Sequence, residues 1–161
     1  MSSYKFLASN VPLKEMKNPY IELLSIKEAI QRNLKIAQEL LDNDSIDRDA
    51  KILLFCESSE LFNEPEINED NESHYGRMYT KKKFISSIQW KYTEDRAVKL
   101  IDYIQEHLKQ AEEIELWHTW MDDEQSPTEN CINQKDLTVA DIKSSIGEFG
   151  FVNPKCLHIR K

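Results

Sequence analysis

The stretch from Lys83 to Met121, KFISSIQWKYTEDRAVKLIDYIQEHLKQAEEIELWHTWM, decides the fold. Phe84, Ile88, Trp90 and Tyr92 fall on one face at the two-residue period of a strand, with Ser86 between them, which predicts a strand over 83–92. Thr93 is an N-cap residue type, and Glu94 and Asp95 complement the positive start of a helix. Ala97, Leu100, Ile101, Ile104 and Leu108 then recur at helical spacing, so the helix runs to about Gln110, with Asp95 and Lys99 placed to pair across one turn. From Glu113 the period returns to two. Ile114, Leu116, His118 and Trp120 share one face; Glu115, Trp117, Thr119 and Met121 share the other. A strand, a helix and a strand joined by such short turns belong to one sheet with the helix across it.

Outward from this unit the same reading continues. Tyr4 to Ala8 is a strand, followed by a proline- and asparagine-containing loop to Pro19. Ser25 and Glu28 form a capping-box pattern, and the stripe Ile26, Ala29, Ile30, Leu34, Ala37, Leu40, Leu41 predicts one helix reaching Asp42. The apolar run within Lys51–Glu57 predicts a strand buried on both faces. Residues 63–76 are acidic and irregular and are expected to be a mobile loop, with Pro65 confining any pairing to a sheet edge. Cys131 to Asp136 is a short strand. Thr138 with Asp141 opens a short helix that Gly147 stops, and Lys155 to Arg160 is the last strand. The expectation is a single α+β domain over 1–161, a mixed, largely antiparallel β-sheet with two main helices and one short helix packed on it.

Acidic residues outnumber basic ones by 29 to 21, a formal net charge of −8 that repels nucleic-acid phosphates and anionic lipid. A protein partner is therefore expected to be neutral or basic, with no nucleic acid and no membrane involved. Cys56, Cys131 and Cys156 are odd in number and widely spaced, which points to a reducing compartment. The first residues lack the long apolar run of a signal peptide, so the expected location is the cytoplasm.

Motifs that would name a chemistry fail on inspection. Asp42, Asp44, Asp47 and Asp49 resemble a calcium loop but lack its glycine, and Leu53 stands where the bidentate glutamate belongs. With three glycines in the chain there is no phosphate-binding loop, and no cofactor is expected. Cys56 is followed by Glu57, whose charge works against a reactive thiolate. Cys156 and His158 share a strand face and supply half a metal site, but nothing near them in sequence completes it, so no metal is expected.

The most distinctive segment is Glu115 to Glu124, in which Trp117 and Trp120 flank His118 and Asp122, Asp123 and Glu124 follow. Read as an active site, His118 is a general base oriented by Asp122 or Asp123, a small hydrolase at the end of strand 113–121. Read as an interface, Trp117 and Trp120 are anchors within a rim of Asp122, Asp123 and Glu124. Read as structure alone, the rings are core and the carboxylates begin a loop. This run, with the strand–helix pair Phe84 to Lys109, resembles small bacterial cytosolic proteins of the immunity-protein type. That resemblance implies a non-enzymatic inhibitor that blocks a toxin by occupying its surface, and it carries over no catalytic residues. A homodimer of structural role is the remaining alternative.

Overall fold

The computed structural model describes residues 2–121, 125–148 and 150–161. In chain order its elements are β1 (Ser3–Ser9), β2 (Glu22–Leu24), α1 (Ile26–Gln31), α2 (Gln38–Leu41), β3 (Leu53–Phe55), β4 (Glu66–Glu69), α3 (His74–Arg77), β5 (Phe84–Gln89), α4 (Glu94–His107), β6 (Glu113–Trp120), β7 (Thr128–Asn133), α5 (Val139–Ile142) and β8 (Lys155–Arg160). A π-helical stretch, Lys143–Gly147, continues α5. The fold is α+β. Asn18–Phe62 forms one compact unit, and the segments before and after it form the other.

The larger unit is built on a six-stranded sheet in the order β4-β5-β1-β6-β8-β7, antiparallel throughout except for the parallel β7–β8 pair. The decisive strand–helix–strand is split: β5 and β6 lie on either side of β1 and pair with it antiparallel. On one face Leu7, Ile114, Leu116, Leu157 and Ile159 meet the α4 stripe Ala97, Leu100, Ile104 and Leu108, joined by Ile142 and Ile146. On the other face Tyr4, Phe6, Ala8, Ile85, Trp117 and Cys156 form a second core, with Tyr75, Tyr79 and Met121 packed on it. Phe6 is its centre; its ring stacks on Trp117 at 5.8 Å with the planes 8° apart, and on Tyr4 at 5.2 Å. Strand β6 is thus buried on both faces, as its period-two pattern of large side chains requires.

Helix α4 starts where its cap predicts, with the Thr93 hydroxyl accepting from the Arg96 N–H. Arg96 is 3% exposed and its Nε donates to Glu64 Oε1 at 2.9 Å. Lys99, placed by sequence to pair with Asp95, meets the same Glu64 carboxylate.

Three expectations are corrected. Residues 63–76, read as a loop, contain β4, which pairs with β5 while Ile67 enters the core and bridges Met16; the buried Ile67 is the reason, a single apolar residue too brief to register as a period. The helix expected from Ser25 to Asp42 stops at Gln31. Asn33 has a φ of 54°, its N–H donates to the Ile30 carbonyl, and the Leu34 N–H reaches the Ala29 carbonyl at 2.9 Å. These are the two bonds of a Schellman ending, which satisfies carbonyls that a continued helix would use otherwise. The apolar run at 51–57 yields only the three-residue β3, in a two-stranded ribbon with β2, and Leu54 is 55% exposed rather than buried. Burial on both faces needs a layer on each side, and Leu54 is left more than half exposed.

Two stability predictions follow from this packing. Phe6→Ala should lower the unfolding free energy by about 3–5 kcal/mol in urea titrations, the range for a fully buried aromatic ring. Asn33→Gly should be neutral or slightly stabilising, while Asn33→Val should cost about 1–2 kcal/mol because a branched side chain resists a positive φ; equal effects of the two substitutions would show that Asn33 does not end the helix this way.

Candidate functional site

The residues singled out by sequence occupy two faces of β6. His118 points to the helix side, 1% exposed, with Phe151 packed 3.9 Å from its ring centre. Cross-strand register sets Lys5 and Lys155 on either side of it. One ring nitrogen hydrogen bonds to the Ser145 backbone; Nε2 has no partner among the described residues. Burial first, then the Lys5 charge, push its pKa down to about 3 from an ordinary 6.5, against the pull of the Ser145 bond. His118 is therefore a neutral interior imidazole at physiological pH. Trp117 is 2% exposed and belongs to the aromatic core. Trp120 is half-buried, stacked on Phe151 at 4.4 Å, and its Nε1 donates to the Phe151 carbonyl. Asp122, Asp123 and Glu124 lie outside the described residues.

A second constellation stands on the opposite face of the sheet, beyond the aromatic core. Glu115 lies directly across from His158, and Glu113 across from Arg160. Glu113 accepts from Lys82 Nζ at 2.9 Å and from Arg160 Nε at 2.8 Å. Burial works to raise the Glu113 carboxyl, but the neighbouring Arg160, Lys82 and His158 outweigh it and hold it down at about 2. Glu115 Oε2 accepts from Thr80 Oγ1 at 2.6 Å and from Trp117 Nε1 at 2.8 Å. His158 Nε2 lies 2.9 Å from Glu129 Oε2 on β7. Cys156, the other half of the pair read from sequence, is packed in the core, where burial pushes its thiol pKa up. The carboxylates were invisible as partners because they come from a strand more than forty residues earlier in the chain; only the alternation Glu113, Glu115, Trp117 hinted that they share a face.

The third feature was missed by sequence reading altogether. Of the large apolar side chains left exposed, Tyr20, Leu23, Ile30, Ile52, Leu54 and Phe62 belong to the Asn18–Phe62 unit. Leu23 and Leu54 face each other across the β2–β3 ribbon, 54% and 55% exposed, and strand alternation sets Ile52 on the Leu54 side. Leu54 also rims a cavity of ≈ 140 Å³ lined by Leu34, Ile36, Leu40 and Phe55. Polar groups frame the ribbon, among them Glu22, whose carboxylate accepts from both terminal guanidinium nitrogens, Nη1 and Nη2, of Arg32. Among the described residues no helix is long and apolar enough to cross a membrane. Compared with protein-family models, curated proteins and solved structures, the chain finds no match.

His118 generates a pH prediction. Its folded pKa lies below the unfolded one, so the unfolded chain binds the extra proton between pH 6.5 and about 3. The stability that comes from keeping the ring neutral is complete above that window and is lost as pH falls through it. The difference in unfolding free energy between the wild type and His118→Phe should be constant above pH 6.5 and should shift in favour of the variant as pH drops toward 3. A difference that does not vary with pH would place a charged or solvated imidazole there instead.

Proposed function

We propose that this chain is a non-enzymatic protein-binding module whose contact surface is the apolar ribbon of the Asn18–Phe62 unit, and whose partner is a basic protein that inserts an apolar side chain there. The observation that carries this reading is the Leu23–Leu54 pair, directly opposed and more than half exposed. Single exposed leucines need no explanation, but a cross-strand pair beside an apolar cavity is the pattern of a contact surface. Charge selects the partner. The Asn18–Phe62 unit holds nine acidic and five basic residues, so it attracts a basic surface and discourages an acidic one, the second copy of itself included. This supports the inhibitor-like role implied by the sequence resemblance, with different anchors: leucines of the ribbon, while Trp117 is buried in the core of the larger unit.

The test compares captured partners. Wild-type chain and Leu23→Ser/Leu54→Ser should both remain folded by circular dichroism, since both side chains already face solvent. A basic partner recovered by the wild type should bind the double variant at least about tenfold more weakly, the size expected for loss of a central apolar anchor, and its association should slow with added salt. Undiminished binding by the double variant, an acidic partner, or a homodimer that the double substitution dissociates would each overturn the proposal.

A further inference from the structure

Strands β6 and β8 bring Glu113, Glu115 and His158 to one place, and we propose that these three side chains form a divalent-metal site suited to Zn²⁺. One ligand atom from each lies within 4.8 Å of the others. The geometry points to a cation through the imidazole. His158 Nε2 lies 2.9 Å from Glu129 Oε2, and because a carboxylate only accepts, that contact orients the ring with Nε2 as the donor. Nδ1 is the other ring nitrogen and is turned toward the two carboxylates of β6. It is buried, has no hydrogen-bond partner, and faces Glu113 Oε1 at 3.4 Å. A divalent cation placed between Nδ1 and Glu113 Oε1 would take the place of a ring proton and bond to both atoms. The outer carboxylate that fixes the tautomer, here Glu129, is the usual companion of a metal-bound histidine.

The carboxylates are equally prepared. Thr80 and Trp117 tie down Glu115 Oε2, which leaves Oε1 free to turn toward the site. One imidazole nitrogen and two carboxylate oxygens make three protein ligands, the number that leaves a tetrahedral Zn²⁺ one open position for water. Lys82 is the resident cation: its ammonium sits 2.9 Å from Glu113 Oε1 and 3.9 Å from Glu115 Oε1, where the metal would stand. Its flexible stem lets it swing outward, so ion and ammonium compete for the same carboxylates.

That competition makes the proposal testable on the full chain by calorimetric titration with Zn²⁺ in a non-chelating buffer. The wild type should bind one ion. Glu113→Gln and His158→Gln should weaken or abolish binding, and Glu129→Gln, which removes only the orienting partner, should weaken it about ten- to hundredfold. Lys82→Met should bind more tightly than the wild type, a gain that misfolding cannot imitate; circular dichroism checks the fold of each variant. Failure of the wild type to bind Zn²⁺ would overturn the proposal. So would binding that is unchanged in Glu113→Gln and His158→Gln, or binding lost only in Cys131→Ser, since the Cys131 thiol faces His158 in the β7–β8 ladder and is the competing ligand.

Discussion

Strand β6 carries large side chains toward both of its faces, and the larger unit is arranged to cover them. With β1 on one side and β8 on the other, its backbone is paired along both edges, so burial costs no unsatisfied peptide groups. One face then needs a helix, which α4 supplies through a stripe at the matching spacing. The other needs aromatic filling, and Phe6, Trp117, Tyr75 and Tyr79 supply it. The insertion of β1 between β5 and β6 is part of the same solution, since it places Leu7 in one core and Phe6 in the other.

The same alternation has an electrostatic consequence. Glu113 and Glu115 share the Trp117 face and are drawn toward the interior with it, where an isolated carboxylate would be strongly destabilised. The neighbourhood answers with Lys82, Arg160, Thr80 and the Trp117 indole. Hydrogen bonds and opposite charge outweigh desolvation at Glu113, which stays ionised. At His118 on the opposite face no acid among the described residues offsets burial, and the ring stays neutral. Neighbouring residues of one strand therefore hold opposite protonation behaviour because a pleated strand exposes them to different surroundings.

The Asn18–Phe62 unit follows a different logic. Its elements are short: α1 closes in a Schellman ending after six residues, and the ribbon has three residues on each strand. Segments this brief bury only part of their apolar surface, which leaves Leu23, Leu54 and Ile52 facing outward. Local sequence reading extended both the helix and the strand because apolar spacing continued through them. Spacing reports which residues would share a face if the element persisted; it does not report where hydrogen bonds to a left-handed residue end it.

What the amino-acid sequence determined was the capping and periodicity set by near neighbours in the chain, the left-handed ending at Asn33 excepted. The caps at Ser25, Thr93 and Thr138 are present where their side chains reach the next turn, and the period-two and helical stripes of 84–120 became β5, α4 and β6. The α+β class followed from those. The tertiary structure alone decided which strands became neighbours, and with them the meeting of Glu113 and Glu115 with His158, the enclosure of His118 beneath Phe151, and the exposure of Leu54. Strand register and layer coverage depend on contacts between residues far apart in the chain, whereas periodicity and capping act over a few residues; that difference in range separates what could be read from what had to be seen.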